Sequence, residues 1–188
     1  MNHFNEAAWM LPIILVFTFS SCEKDAPVPI NEEEIITTLT YTLTPQGGGA
    51  TVVLSFQDLD GDGGNAPVIT AGNLAANTSY TATLQLLNEV AIPAEDITVE
   101  VLEEAADHQF FYTSASALNA SVSYADEDGD GNPVGVVSTV ITGDTSSGNL
   151  TITLRHQPDK FAAGVADGDI LNAGGETDIE VTFSVTIQ

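Results

Sequence analysis

From Glu34 to the C-terminus the dominant rhythm of the chain is two. IITTLTYTLTP, ATVVLSFQ, SYTATLQLL, ASVSYA, NLTITLRH and DIEVTFSVTIQ alternate apolar and polar positions and are rich in Val, Ile, Thr and aromatic residues. Alternation of this kind gives each strand one apolar face, as half-buried antiparallel strands require. PVGVVSTVITG adds a more continuous apolar run, and clusters of Gly, Asn, Asp and Pro separate the segments. The pattern predicts an all-β fold, a two-sheet antiparallel β-sandwich formed as a single domain by residues 35–188. One stretch departs from it. In PAEDITVEVLEEAAD, residues 93–107, Ile97, Val101, Leu102 and Ala105 make a helical stripe behind a favourable Pro-Ala-Glu-Asp start, although ITVEVL also alternates as a strand. A short helix near residues 95–106 is the expectation, and it would set Glu104 and His108 one turn apart.

The chain also repeats itself. LSFQDLDGDGGNAPVIT followed by GNL and TATLQLL parallels VSYADEDGDGNPVGVVST followed by GNL and TITLRHQ, so that strand, acidic glycine loop, strand and Thr-alternating strand recur in one order. Between the first GNL and its flanks, NLAANTSYTATLQLL (residues 73–87) resembles the corner of fibronectin type III and immunoglobulin-like domains. By that resemblance Tyr80 would lead into a strand and tie its hydroxyl back to the backbone.

Composition adds an address and removes some functions. Across 188 residues, 27 Asp and Glu face only three Lys and Arg, a formal net charge of -24. Such a surface repels nucleic acid and anionic headgroups and concentrates cations, so nucleic-acid binding is excluded. The apolar run MLPIILVFTFSS is of signal-peptide length, too short to span a bilayer, and ends directly before the only cysteine, Cys22. FSSC resembles a bacterial lipobox, which implies a lipoprotein signal peptide over residues 1–21 and lipidation of Cys22. The n-region MNHFNEAAW departs from that pattern: it has no Lys or Arg and contains Glu6. After Cys22, EKDAPVPINEEE is polar, acidic and proline-containing, suited to an anchor and linker over residues 22–34. Its acidic residues also resemble the surface-export signal of Bacteroidetes lipoproteins.

Three groups of residues could carry chemistry. Two loops share the spacing DxDxDG: Asp58, Asp60 and Asp62 before Gly63, and Asp126, Asp128 and Asp130 before Gly131. Alternate carboxylates on a tight turn can converge on calcium, which favours several hard oxygens. The twelfth position, where an EF-hand needs a bidentate Glu, holds Ile69 in one loop and Val137 in the other, so each is at most half a site. Asp-Gly is equally a turn signal, and purely turn-forming loops are the alternative. A third acidic loop, VADGDILNAGGETDIEV, offers Asp167, Asp169, Glu176 and Asp178 as further ligands or as another solvated turn. The third group is a candidate zinc or copper cluster in which Glu103, Glu104, Asp107 and His108 meet His156, provided their segments come together in space. Calcium is the cofactor expected first, with zinc or copper behind it. The chain shows no GxSxG, HExxH, P-loop or Rossmann glycine pattern, so no catalytic residue is assigned and no enzyme is expected.

SCEKD, NEEEIITTLTYTLTP, LDGDGGNAP, HQFFY, SYADEDGDGNP, LTITLRHQPDK and GVADGDILNAGGETDIEVTF together resemble a family of small Flavobacteria-type lipoproteins, often labelled type 1 periplasmic binding fold proteins. The resemblance implies a bacterial outer-membrane lipoprotein facing the periplasm or the cell surface. The strand pattern itself implies a sandwich, not the two-lobed α/β fold that the label describes. The expected function is a lipid-anchored envelope protein that binds a cation and could serve an outer-membrane transporter. The alternative is a structural or adhesive surface module whose acidic loops are stiffened by calcium. A third reading, a glycan or protein binder using Phe110, Phe111 and Tyr112, is limited by strand geometry, which sends neighbouring side chains to opposite faces.

Overall fold

Thr-rich alternation in TLTYTLTP and SYTATLQLLN produces two central strands, β1 (Thr38–Pro45) and β5 (Ser79–Asn88), paired antiparallel with Leu39 opposite Leu86 and Leu43 opposite Ala82. The structure is a computed structural model and describes residues 34–61 and 63–188. The remaining strands are β2 (Val52–Gln57), β3 (Val68–Thr70), β4 (Asn73–Leu74), β6 (Glu95–Asp96), β7 (His108–Ser114), β8 (Ala120–Tyr124), β9 (Val137–Thr142), β10 (Ser146–His156) and β11 (Glu176–Ile187). One sheet runs β3-β2-β1-β5-β9-β8 with β6 on β5, and the other runs β4-β11-β10-β7. Pairing is antiparallel apart from the short β4–β11 contact, which is parallel. The all-β, two-sheet architecture is the one the alternation predicts.

Side chains from both inner faces meet in one core. Leu39, Tyr41 and Leu43 of β1, Tyr80, Leu84 and Leu86 of β5, Leu150, Ile152 and Leu154 of β10, and Val181, Phe183 and Val185 of β11 are all buried there. Each such side chain contributes roughly 1.5–3 kcal/mol through its removal from water. The corner residue behaves as its resemblance implies, because the Ala75 backbone N–H donates to the Tyr80 hydroxyl at 2.7 Å.

The ambiguous stretch is helical. Helix α1 (Ile97–Glu103) starts at Asp96, whose carboxylate accepts from the Thr98 N–H, and a 3-10 turn follows over Ala105–Asp107. Ile97 and Val101 turn into the core, whereas Leu102 of the expected stripe is 48% exposed. No helix among the described residues is long and apolar enough to cross a membrane.

The two acidic loops connect β2 to β3 and β8 to β9, hairpins at opposite edges of the larger sheet. Because β2, β5 and β8 all run antiparallel to β1 and β9, both loops emerge at the same end of that sheet. Beyond the hairpins the two repeats diverge: TATLQLL belongs to β5 in the larger sheet, and TITLRHQ to β10 in the smaller. Phe110 and Phe111 are buried on opposite faces of β7. Phe110 lies in the main core, and Phe111 lies in a second cluster with Val165 and Ala173 from the segment joining β10 to β11. Tyr112 is half-buried with its hydroxyl donated to the Gly135 carbonyl, which leaves no open aromatic triad for a glycan.

Candidate metal centre

The two histidines meet as a cross-strand pair. His108 is the first residue of β7, His156 the last of β10, and they stand opposite each other in register. Both follow the inward phase of their strands, set by Phe110 and Leu154, so the imidazoles sit at the end of the core with centroids 4.6 Å apart. His108 is fully buried and His156 nearly so.

A third polar group arrives through an irregularity in β11. Leu154 pairs with Ile179 but Arg155 pairs with Thr177, so Asp178 is an extra residue in the ladder, a β-bulge. Strict alternation would send Asp178 to the face opposite Ile179. The bulge resets the phase, and its carboxylate comes within 3.9 Å of both His108 Nε2 and His156 Nδ1. Gly175, just before β11, permits the approach: its φ is +69°, and a Cβ there would lie 2.2 Å from the His156 carbonyl oxygen. The fourth group is Glu34, four residues before β1, whose Oε1 lies 3.1 Å from His108 Nε2. Donor atoms of Glu34, His108 and His156 all fall within 4.8 Å of one another.

Electrostatics define what this cluster lacks. His108 Nδ1 lies 3.1 Å from the Glu104 carbonyl and donates to it, so the neutral ring presents an Nε2 lone pair to the carboxylates. Among the described residues Nε2 makes no hydrogen bond, although Glu34 Oε1 lies 3.1 Å away. Glu34 Oε2 and Asp178 Oδ2 are likewise buried with no hydrogen bond among the described residues. Burial disfavours the His108 cation, but the adjacent Glu34 carboxylate, the Glu104 carbonyl and Asp178 outweigh it and raise its pKa. Burial, and then the charge of Glu34, push the Asp178 carboxyl up to about 6 against the pull of the imidazoles. As metal ligands, two carboxylates and two imidazoles would bring two negative charges, which one divalent cation would neutralise. Tetrahedral zinc at about 2.0–2.1 Å from N and O ligands spaces them about 3.3 Å apart, so small side-chain movements would close these donors around an ion. The backbone carbonyl on the other nitrogen of His108 is the outer-shell partner that metal-ligating histidines commonly have.

His108 and His156 can act together only if their segments meet, and they do. The acidic residues expected beside them do not join: the side chains of Glu103, Glu104 and Asp107 are exposed, and Glu104 contributes its carbonyl instead. Asp178 was legible only as one member of the third loop, whose Asp167, Asp169 and Glu176 are exposed. Glu34, by sequence the last residue of the linker, instead reaches His108.

The DxDxDG loops are stitched internally. Asp58 Oδ1 accepts from the Gly61 N–H at 2.9 Å and more weakly from that of Asp60, and Asp60 Oδ2 accepts from both nitrogens of Asn65. In the second loop Asp126 spends its two oxygens on the Gly135 and Val137 amides at 2.7 and 2.8 Å. Asp128 Oδ1 accepts from the amides of Asp130 and Asn132, and its Oδ2 pairs with the Lys160 ammonium at 2.9 Å. The Asp130 side chain is exposed. Cys22, the signal segment 1–21, linker residues 22–33 and Asp62 lie outside the described residues.

The fold and this cluster define a class, an all-β sandwich with a buried histidine–carboxylate site at one end. No protein-family model, curated protein or solved structure matches the chain.

Proposed function

We propose that the protein is a lipid-anchored envelope protein that binds a divalent metal ion of the zinc class through Glu34, His108, His156 and Asp178. The observation that carries this reading is the convergence of three buried polar atoms that make no hydrogen bond among the described residues, His108 Nε2, Glu34 Oε2 and Asp178 Oδ2. Leaving such groups unpaired costs about 1–3 kcal/mol each, more when charged, and a coordinated cation satisfies all of them together. Two imidazoles favour zinc or copper over calcium, which takes oxygen ligands. The lipid anchor rests on FSSC and Cys22, and service to an outer-membrane transporter rests on that address alone.

A second reading is favoured by where the donors come from. Glu34 precedes β1 of the larger sheet, while the other three lie on β7, β10 and β11 of the smaller one, so an ion would clasp the two sheets. In a structural module that clasp would be the whole role. Titration calorimetry of the protein with zinc, copper and calcium tests both. The expected result is one tight zinc or copper site, weakened more than about 100-fold by His108→Ala, beyond the usual 10–100-fold of outer-shell changes. Zinc uptake equal in wild type and His108→Ala, through scattered surface carboxylates, would contradict it. Exchange with chelator within seconds fits capture, and release only on unfolding fits a clasp.

A further inference from the structure

Of the two basic side chains in the described residues, Arg155 is half-buried at the surface and Lys160 is only 3% exposed. In a chain with three basic residues and 27 acidic ones, one of the few cations is committed to the interior. Lys160 follows β10 in the segment that packs over Phe111, and its ammonium enters the second acidic loop. There it donates to Asp128 Oδ2 at 2.9 Å, to the Pro133 carbonyl at 3.0 Å and to the Ala105 carbonyl at 2.5 Å. An ammonium has three protons, and all three are used. The acceptors are one carboxylate oxygen and two carbonyl oxygens, the hard-oxygen chemistry that also suits calcium.

The loop is built around that charge. Asp128 is the one carboxylate of DEDGDGN that is buried, and the Asp130 and Asn132 amides hold its other oxygen so that Oδ2 faces the lysine. Asp126 is already spent on Gly135 and Val137. The first loop, of the same spacing, has no such partner among the described residues: Asp60 is exposed and its hydrogen bonds there go to its own turn. Removing a lysine from such a cradle leaves a buried carboxylate and two carbonyls aimed at one point.

We infer that the Lys160 ammonium is the resident cation of the Asp126–Asn132 loop, which therefore takes up no calcium while the lysine is present and accepts calcium when it is removed. The inference is independent of the histidine centre. The test is a calcium titration, to about 10 mM, followed by the amide NMR signals of residues 126–132 in wild type, Lys160→Ala and Lys160→Met/Asp128→Asn. Millimolar affinity is the weak end of known calcium sites. The wild-type signals should stay in place, those of Lys160→Ala should shift saturably with a rise in melting temperature, and the double variant should fold and ignore calcium. Should Lys160→Ala fold only with calcium, the inference is supported in stronger form. Saturable shifts in the wild-type loop would overturn it, as would a Lys160→Ala protein that calcium neither shifts nor restores.

Discussion

Asp178 carries two conflicting demands. Its carboxylate completes the histidine cluster, yet without a cation it is buried beside Glu34, and both effects raise its pKa. Replacing one of two like charges in a buried site by a neutral side chain of the same shape relieves that repulsion, whereas the same change removes a proposed metal ligand. Asp178→Asn should therefore leave the metal-free protein at least as stable as wild type in urea denaturation at pH 7.5, and should lower zinc affinity more than tenfold in calorimetry. A variant that is destabilised without metal and still binds zinc normally would mean that Asp178 is a structural partner of the imidazoles. Gly175 works at the same scale through its backbone. With φ at +69° and a Cβ position 2.2 Å from the His156 oxygen, Gly175→Ala faces both left-handed strain and a backbone collision. The strain alone is worth about 1–2 kcal/mol, so a loss of at least that size is expected in denaturant titration, together with weaker zinc binding as the start of β11 moves.

At the level of elements, periodicity made the strands legible and left the bulge invisible. Alternation places Leu39, Tyr41 and Leu43, or Val181, Phe183 and Val185, on one face because strands have a fixed period. It placed His156 on a strand, whereas the expected helix set His108 one turn beyond Glu104; in the structure His108 begins β7 and pairs directly with His156. It could not place Asp178, since a bulge changes the phase of a strand within one residue, and nothing in ETDIEV states which residue is the extra one. The helix was readable from its Asp96 cap and the Ile97–Val101 spacing. The use of the acidic loops was not, because the partner of Asp128 lies 32 positions away on a different segment. That pairing has a pH consequence. Burial pushes the Asp128 pKa up, but the Lys160 hydrogen bond and the Asn132 and Asp130 amides more than offset it, leaving it below its usual 3.8. A carboxylate whose pKa is depressed by folding contributes stability that is fully present above the unfolded value and is lost as pH falls through the folded one. The stability difference between wild type and Asp128→Asn should therefore hold steady from pH 7 to about 5 and shrink below about pH 4. A difference that stays constant to pH 2.5 would show that the ion pair does not contribute in this way.

For the whole molecule, one end of the sandwich gathers the polar investment. The start of β1, the end of β5, both acidic loops, the 104–108 turn, the end of β10 and the start of β11 lie at it, with the histidine centre and the Lys160 cradle. The opposite strand ends are tied by ordinary means, such as the Tyr80 corner. A net charge of -24 raises the local concentration of every cation, so weak surface binding is expected and does not by itself support a site. Stabilisation is the stricter criterion, because scattered surface carboxylates also bind in the unfolded chain whereas a clasp between sheets exists only in the folded one. The most direct test is thermal unfolding of wild type and His108→Ala/His156→Ala in chelator and in zinc at a hundredfold the measured dissociation constant. The ion should stabilise the wild-type protein by about 2.7 kcal/mol, a rise in melting temperature of about 5–10 °C for a domain of this size, and should leave the double variant unmoved. Equal melting temperatures for wild type with and without zinc, or an equal rise in the double variant, would contradict the assignment of the histidine cluster as a metal centre.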